Sequence, residues 1–281
     1  MPTANDKILL RGNEILERWD TVADRNHYHF QIRGLTKPTR DIINEVIQKI
    51  LDRVGANPLA SFHLFSGLME ALLNAVKGNT RFVIFQDELL QKLVSSGEAE
   101  KGVEAEALLQ TILETEPLRD AMQRYIVPQK IKKTVQQILV LQDKKRNKKL
   151  ELNDTEKTFL AGLREKTDKY GLKISLKVEL RPEELYIRIR NDAPIMGIDL
   201  ERIQRSRERH AELAKDGRSG EFFRPDFLDE KESAGFGIAM IDEGFYSMGL
   251  KPLECFNIQT GKHATSVYFN YPFSALQNME F

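Results

Sequence analysis

The sequence predicts an α/β protein: a two-layer α/β sandwich whose mixed, mainly antiparallel sheet is covered by helices on one face, plus a helical insertion. Three observations predict it. Apolar residues alternate with polar ones at period two near residues 27–33, 174–189 and 254–271. Between these stretches, apolar residues recur at steps of three and four, as on one face of a helix. From about residue 86 to 170 the chain is charged, poor in glycine and helix-prone, and it interrupts the alternating pattern.

Ile8, Leu9, Ile15, Leu16 and Trp19 stand at helical spacing and give a helical N-terminal segment, 1–26. Tyr28, Phe30 and Ile32 alternate with polar residues in a strand that Gly34 ends. Pro38 stands near the start of a helix holding Ile42, Ile43, Val46, Ile47, Ile50 and Leu51, and Gly55-Ala56-Asn57-Pro58 breaks it. A second helix runs over 59–77 and is closed by Gly78-Asn79. Arg81-Phe82-Val83-Ile84-Phe85 reads as a short strand. Glu98 to Glu106, with Gly97 and Gly102, reads as a mobile or surface stretch. Helical spacing resumes at Leu108, Leu109, Ile112 and Leu113, and again at Ile131, Val135, Ile138 and Leu139. The basic run from Lys144 to Lys149 suits a solvated turn between helices, or else an acidic partner or nucleic-acid contact. Gly171 closes a helix, and two strands follow, one on Ile174, Leu176, Val178 and Leu180, the other on Leu185, Ile187 and Ile189. A helix over 199–215, a Phe-rich segment from Gly217 to Ala234 and a helix over 235–248 come next. Glu254 to Gln259 and Ala264 to Tyr271 are the last strands. The domain reading is therefore 1–26, then 27–85 with 171–281 as one domain, and 86–170 as its insertion.

Composition narrows the class. Of the 281 residues, 41% are apolar and 30% charged, which supports a real core. Lysines plus arginines equal aspartates plus glutamates at 42 each, which argues against a dedicated nucleic-acid binder. The single cysteine, Cys255, excludes an intrachain disulfide and a cysteine-only zinc site. No run approaches the ~18 consecutive apolar residues of a membrane span. The N-terminus does not read as a signal peptide, so a soluble, cytoplasmic protein is expected.

The helix over 59–77 is the most informative segment. Each residue advances ~100° around the axis, so Leu64, Phe65, Leu68, Met69, Leu72, Leu73 and Val76 form one broad apolar face. Glu70, Asn74 and Lys77 fall within roughly 60° on the other side, with His63 two turns earlier. Any amphipathic helix has a polar face, and that reading stays open. The alternative is chemical: a carboxylate can orient an attacking group, an amide oxygen can hold Mg²⁺, and an ammonium can meet phosphate. Two further segments suit the second reading. Ile187 to Ile195 is a strand ending in Asn191-Asp192, where a side-chain oxygen can accept from an adenine amino group; an ordinary Asx turn fits as well. Gly235-Phe236-Gly237 opens a helix, where bare backbone N–H groups can approach phosphate; a flexible loop fits as well. Other phosphate signatures fail: Gly261-Lys262 is followed by His263, and Met240 stands where a dinucleotide fingerprint needs its third glycine.

Taken in order, these segments resemble the motifs of the histidine-kinase-like ATPase superfamily, which also holds anti-sigma serine kinases, gyrase, MutL and a heat-shock chaperone family. Glu70 to Lys77 resembles its N box, Ile187 to Ile195 a variant D box, and Gly235 to Ile238 its G box. Thr265, after Gly261, is similar to the late Gly-x-x-Thr element. The match covers about residues 27–78 and 171–273, and is closest in size to histidine-kinase catalytic domains and anti-sigma kinases. It implies that Glu70 positions the attacking group, Asn74 binds Mg²⁺ and Lys77 contacts phosphate. It implies further that Asn191, with Asp192 adjacent, recognises adenine, that Gly235 and Gly237 hug the phosphates, and that Thr265 belongs to the same site. Residues 196–234 would be the ATP lid, packed by Phe222, Phe223 and Phe227. The chain departs from the pattern at Asn191, where the family has aspartate, at Ala193, where it has glycine, and at the insertion.

The expected function is an ATP-binding signalling protein, a Mg-ATP-dependent kinase or ATPase of two-component type acting on a partner protein or phosphoacceptor. The alternatives are a non-catalytic, nucleotide-responsive module that binds a partner through its insertion, and a purely structural relative that binds no nucleotide. The cofactors implied are ATP and Mg²⁺, and a homodimer is left open. No helical pair with a phosphoacceptor histidine precedes the N box, and 16 residues follow Thr265, so neither a complete sensor kinase nor a gyrase-type transducer is expected.

Overall fold

The computed structural model describes residues 12–97, 102–114, 151–195, 197–224 and 233–278, with a few positions between 133 and 144. The chain forms two compact units. One gathers Met1–Val76, Lys173–Asp192 and Glu201–Phe281; the other gathers Lys77–Leu172 and Ala193–Leu200.

The first unit is built on a five-stranded sheet in the order β1-β2-β3-β5-β4: His27–Ile32, Ile174–Leu180, Glu184–Asn191, Thr265–Pro272 and Phe256–Thr260. All four ladders are antiparallel. Tyr28 faces Val178, which faces Ile187, which faces Phe269, which faces Phe256. Side chains alternate across a strand, so this register sends one apolar set to one face. His27, His29, Gln31, Lys177, Arg188 and Arg190 go to the other. The apolar face meets α3 (Lys37–Arg53), through Ile43, Val46, Ile47 and Ile50, and α4 (Pro58–Ser95), through Leu64, Leu68 and Leu72. It also meets Ile238, Ile241 and Phe245 of a later helix, Ser233–Ser247. Phe245, Phe256, Phe269 and Tyr271 stack in this core, with neighbouring centroids 4.8–6.3 Å apart. The expected α/β layering, with helices on one face, is what the structure has.

The N-terminal segment joins the same core. Two short helices, α1 (Gly12–Glu17) and α2 (Trp19–Val22), bury Ile15 and Val22 in it. Tyr28 donates a hydrogen bond from its hydroxyl to the Val22 carbonyl, 3.0 Å away. Ile8 and Leu9 lie outside the described residues.

Helix α4 departs from expectation. It neither stops at Gly78-Asn79 nor gives way to a strand at Arg81–Phe85, but runs 38 residues. Buried Val83, Gln86 and Leu93 recur at helical steps. An interior glycine costs ~1 kcal/mol against alanine, less than the ~1.5–3 kcal/mol from burying one large apolar side chain. By length and composition alone α4 could cross a membrane; its first half is core in the first unit.

In the second unit, α4 packs through Phe85 and Leu93 on Leu109 and Leu113 of α5 (Val103–Glu114). Residues 103–106, expected in a surface stretch, therefore belong to a helix. Helix α6 (Asp154–Tyr170) begins at a capping box, Asn153 with Glu156, and ends at Gly171, whose φ of +63° suits glycine. Lys166 pairs with Asp87 and Lys169 with Glu106, each at 2.6 Å. Of the basic run only Lys144 is described, and it pairs with Glu156 at 2.7 Å. Of the second apolar set Ile138 is described and buried; Ile131, Val135 and Leu139 lie outside the described residues.

The sheet's polar face carries one buried carboxylate, Glu179, bonded to Lys177, Arg181 and His27. Burial pushes this carboxyl up, but Lys177, His27 and Arg181 outweigh it and hold the group below the usual glutamate value. A folded-state pKa below the unfolded one stabilises above the unfolded pKa, and that stability is lost as pH falls through the folded value. Glu179→Gln is expected to lower stability by about 1 kcal/mol at neutral pH, with the difference vanishing in acid, as read by urea denaturation.

Candidate functional site

The site residues of the first unit come from α4, the sheet ends and three later elements: α7 (Gly197–Lys215), a 3-10 turn (Ser219–Phe223) and α8 (Ser233–Ser247). Helices α4 and α8 meet at glycines. A Cβ on Gly237 would fall 2.0 Å from Glu70 Oε1 and 2.7 Å from its Cδ. One on Gly67 would stand 3.8 Å from Ile241 Cγ2, and one on Gly244 3.6 Å from the His63 carbonyl oxygen. The pairs 70 with 237, 67 with 241 and 63 with 244 run in opposite senses, so the helices are antiparallel. His63 and Glu70, two members of the polar stripe, thus face α8. Burial pushes the His63 imidazole down from its usual value, opposed by the Glu243 carboxylate.

Asn74 lies one turn beyond Glu70 and is half-buried; its amide nitrogen is buried with no partner among the described residues. Turning the amide exchanges nitrogen for oxygen, so the position can offer a donor or an acceptor. Lys77 follows on the same helix and is the first residue of the second unit.

The two glycines of α8 differ in role. Gly235 is the third residue of the helix, within the first turn, where N–H groups have no intrahelical partner. Gly237 is the fifth, so its N–H points back along the helix to the Ser233 carbonyl. Gly235 suits an anion; Gly237, expected to do the same, instead makes room for the Glu70 carboxylate.

At the sheet end, Asn191 and Thr265 are direct partners in the β3–β5 ladder, and both are buried. Thr265 Oγ1 lies 3.2 Å from Thr260 Oγ1. Asp192 serves the fold, since its Oδ2 accepts from the Lys173 N–H at 3.1 Å and its Oδ1 accepts from Arg190 Nη1 at 3.1 Å. The structure thus brings Glu70 to Gly237 and Asn191 to Thr265. Among the described residues no cluster of three or more His, Cys, Asp or Glu side chains could hold a metal ion.

Sequence reasoning missed the clamp between α7 and α8. Arg207 Nη2 and Nε donate to Asp242 at 2.9 and 3.0 Å, and Nη2 also meets the Phe256 carbonyl at 3.0 Å. His210 is fully buried, its Nε2 3.1 Å from Glu243 Oε2, and Ser219 Oγ donates to Glu243 Oε1 at 3.0 Å. Burial pushes the Asp242 carboxyl up, with Arg207 opposing. Phe222 is buried with Leu213 and Ala239 in a small cluster, with Phe223 against it. Phe227 lies outside the described residues. Much of the segment expected to be a lid is therefore a helix bolted to α8. The available signal was Asp242-Glu243, two acids inside an otherwise apolar helix.

Gly237→Ala should drive the Glu70 carboxylate out of place and cost roughly 1–3 kcal/mol. In a Glu70→Ala background the same change should be neutral or stabilise by up to ~1 kcal/mol, since alanine is the better helix former. A double-mutant cycle by chemical denaturation reads the difference. Comparison of the chain with family models, with curated proteins and with solved structures found no match.

Proposed function

We propose that the first unit binds a Mg-nucleotide and that the protein is a histidine-kinase-like kinase or ATPase acting on a partner protein. The observation that carries this reading is the seam of α4 and α8: the Glu70 carboxylate rests on the Gly237 backbone, and one turn on, the Asn74 amide nitrogen is buried without a partner among the described residues. An unpaired buried polar atom costs free energy, so its retention favours a ligand there. The first turn of α8 adds an anion-favouring helix end at Gly235.

In this reading Glu70 orients the attacking hydroxyl or water. Asn74 holds the nucleotide's cation, Gly235 faces phosphate, and Asn191 with Thr265 meets the base. A bound Mg²⁺ supplies charge neutralisation at the phosphates. Phosphoryl transfer asks mainly for such positioning and charge complementarity.

A second reading, a nucleotide-responsive module without turnover, is favoured by the clamp of α7 on α8. A segment fixed by Arg207 and Asp242 is poorly suited to opening and closing over a reacting phosphate.

Titration calorimetry with Mg²⁺ and a non-hydrolysable ATP analogue should give saturable binding, weakened at least ~10-fold by Asn74→Ala. With γ-labelled ATP, phosphate release or transfer should fall roughly 100-fold in Glu70→Gln while binding holds. Binding without any turnover selects the second reading. Absence of binding removes both.

A further inference from the structure

Helices α3, α4 and α8 pack on the apolar face of the sheet. We infer that the opposite face binds single-stranded nucleic acid, with Arg188 meeting a phosphate and Tyr268 stacking on a base. This inference stands apart from the nucleotide reading above.

The strand register lays the middle row of that face out as His29, Lys177, Arg188, Tyr268 and Asn257, one from each strand. Arg188 is central, on the third of five strands, and Lys177 stands directly opposite it. Like charges so placed are destabilising. Lys177 and Arg181 are offset by Glu179 and Glu184, and Arg190 by Asp192. Arg188 is the surplus cation: among the described residues it has no carboxylate partner, and its Nε is buried without a hydrogen bond. Tyr268, its partner on β5, lies 6.4 Å from the Tyr186 ring, which Arg181 covers at 3.7 Å. Asn270, opposite Tyr186, has a buried side-chain oxygen that is likewise without a hydrogen bond.

An unpaired guanidinium, an aromatic ring beside it and an orphaned amide oxygen call for a ligand that is anionic, flat and able to donate hydrogen bonds. A phosphodiester takes the planar fork of an arginine. An unstacked base offers a π-face to tyrosine and N–H groups to the amide oxygen. In a duplex the bases are already stacked, so the single strand fits. A protein partner fits less well, because none of these side chains is aliphatic and the centre of a protein interface is apolar. The chain's balanced charge does not oppose this, since the carboxylates of the face are already bonded to its other cations.

The test is fluorescence anisotropy on the full chain at low salt, with a labelled oligouridylate of about ten nucleotides and the matching oligothymidylate as the DNA arm. Saturable binding of one or both strands is expected, falling steeply as salt rises. Arg188→Gln and Tyr268→Ala, each checked for folding by thermal melting, should each weaken it roughly tenfold. Arg188→Gln should also flatten the plot of log affinity against log salt by about 0.7. Absence of binding by both strands overturns the inference, as does binding that neither folded variant changes. Polyglutamate of equal length that competes as well as the oligonucleotide overturns nucleic acid as the occupant. If the variants do not fold, the salt slope and this competition on the natural chain decide.

Discussion

The contact between α4 and α8 is the constraint on which the first unit depends. At Gly237 the two helices are so close that a Cβ would collide with the Glu70 side chain, whereas at Gly67 and Gly244 a Cβ would make ordinary van der Waals contact across the seam. The approach puts Ile241 and Phe245 into the core over the sheet, and it also sets the Glu70 carboxylate against the α8 backbone. Packing and candidate chemistry are thus two results of one spacing. A methyl group at Gly237 would displace the Glu70 carboxylate before it disturbed the core, because the atom it meets first is the end of a polar side chain.

A second layer of polar contacts fixes α8 from its other flank. Arg207 and Asp242 are both buried, and ions so placed are tolerable only when paired and hydrogen-bonded. The guanidinium satisfies this by reaching the carboxylate and two backbone carbonyls while lying over the Phe256 ring. Glu243 collects His210 and Ser219 in the same way. Such a network gives direction more than net stability. It holds α8 in one orientation, and with it the first turn that carries Gly235.

The sheet contributes through its end rather than its face. Period-two alternation puts Asn191 on the buried side behind Ile189, and Thr265 on the same side ahead of Val267. Asp192, one residue on, closes the β2–β3 edge by binding Lys173. Of the adjacent Asn-Asp pair, Asn191 is thus buried within the β3–β5 ladder, while Asp192 stands past its end and closes the β2–β3 edge.

The sequence by itself determined the layered architecture, because side-chain period is a local property. Alternation at Tyr28-Phe30-Ile32, Ile174-Leu176-Val178 and Leu185-Ile187-Ile189 is enough to mark strands and their buried face. It also marked Glu70 and Asn74 as one stripe of a helix, and Gly171 as a helix end. Length of α4 was not legible, since Gly78-Asn79 is a good local stop and only burial of Val83, Phe85 and Leu93 in the second unit overrides it. Nor was the distinct role of Gly237, which depends on a helix about 170 residues away along the chain. The Arg207–Asp242 clamp was equally hidden, because ion pairing between separate helices has no period to read. Local spacing chose the elements; long-range contact chose which faces meet, and so which polar residues hold the fold together.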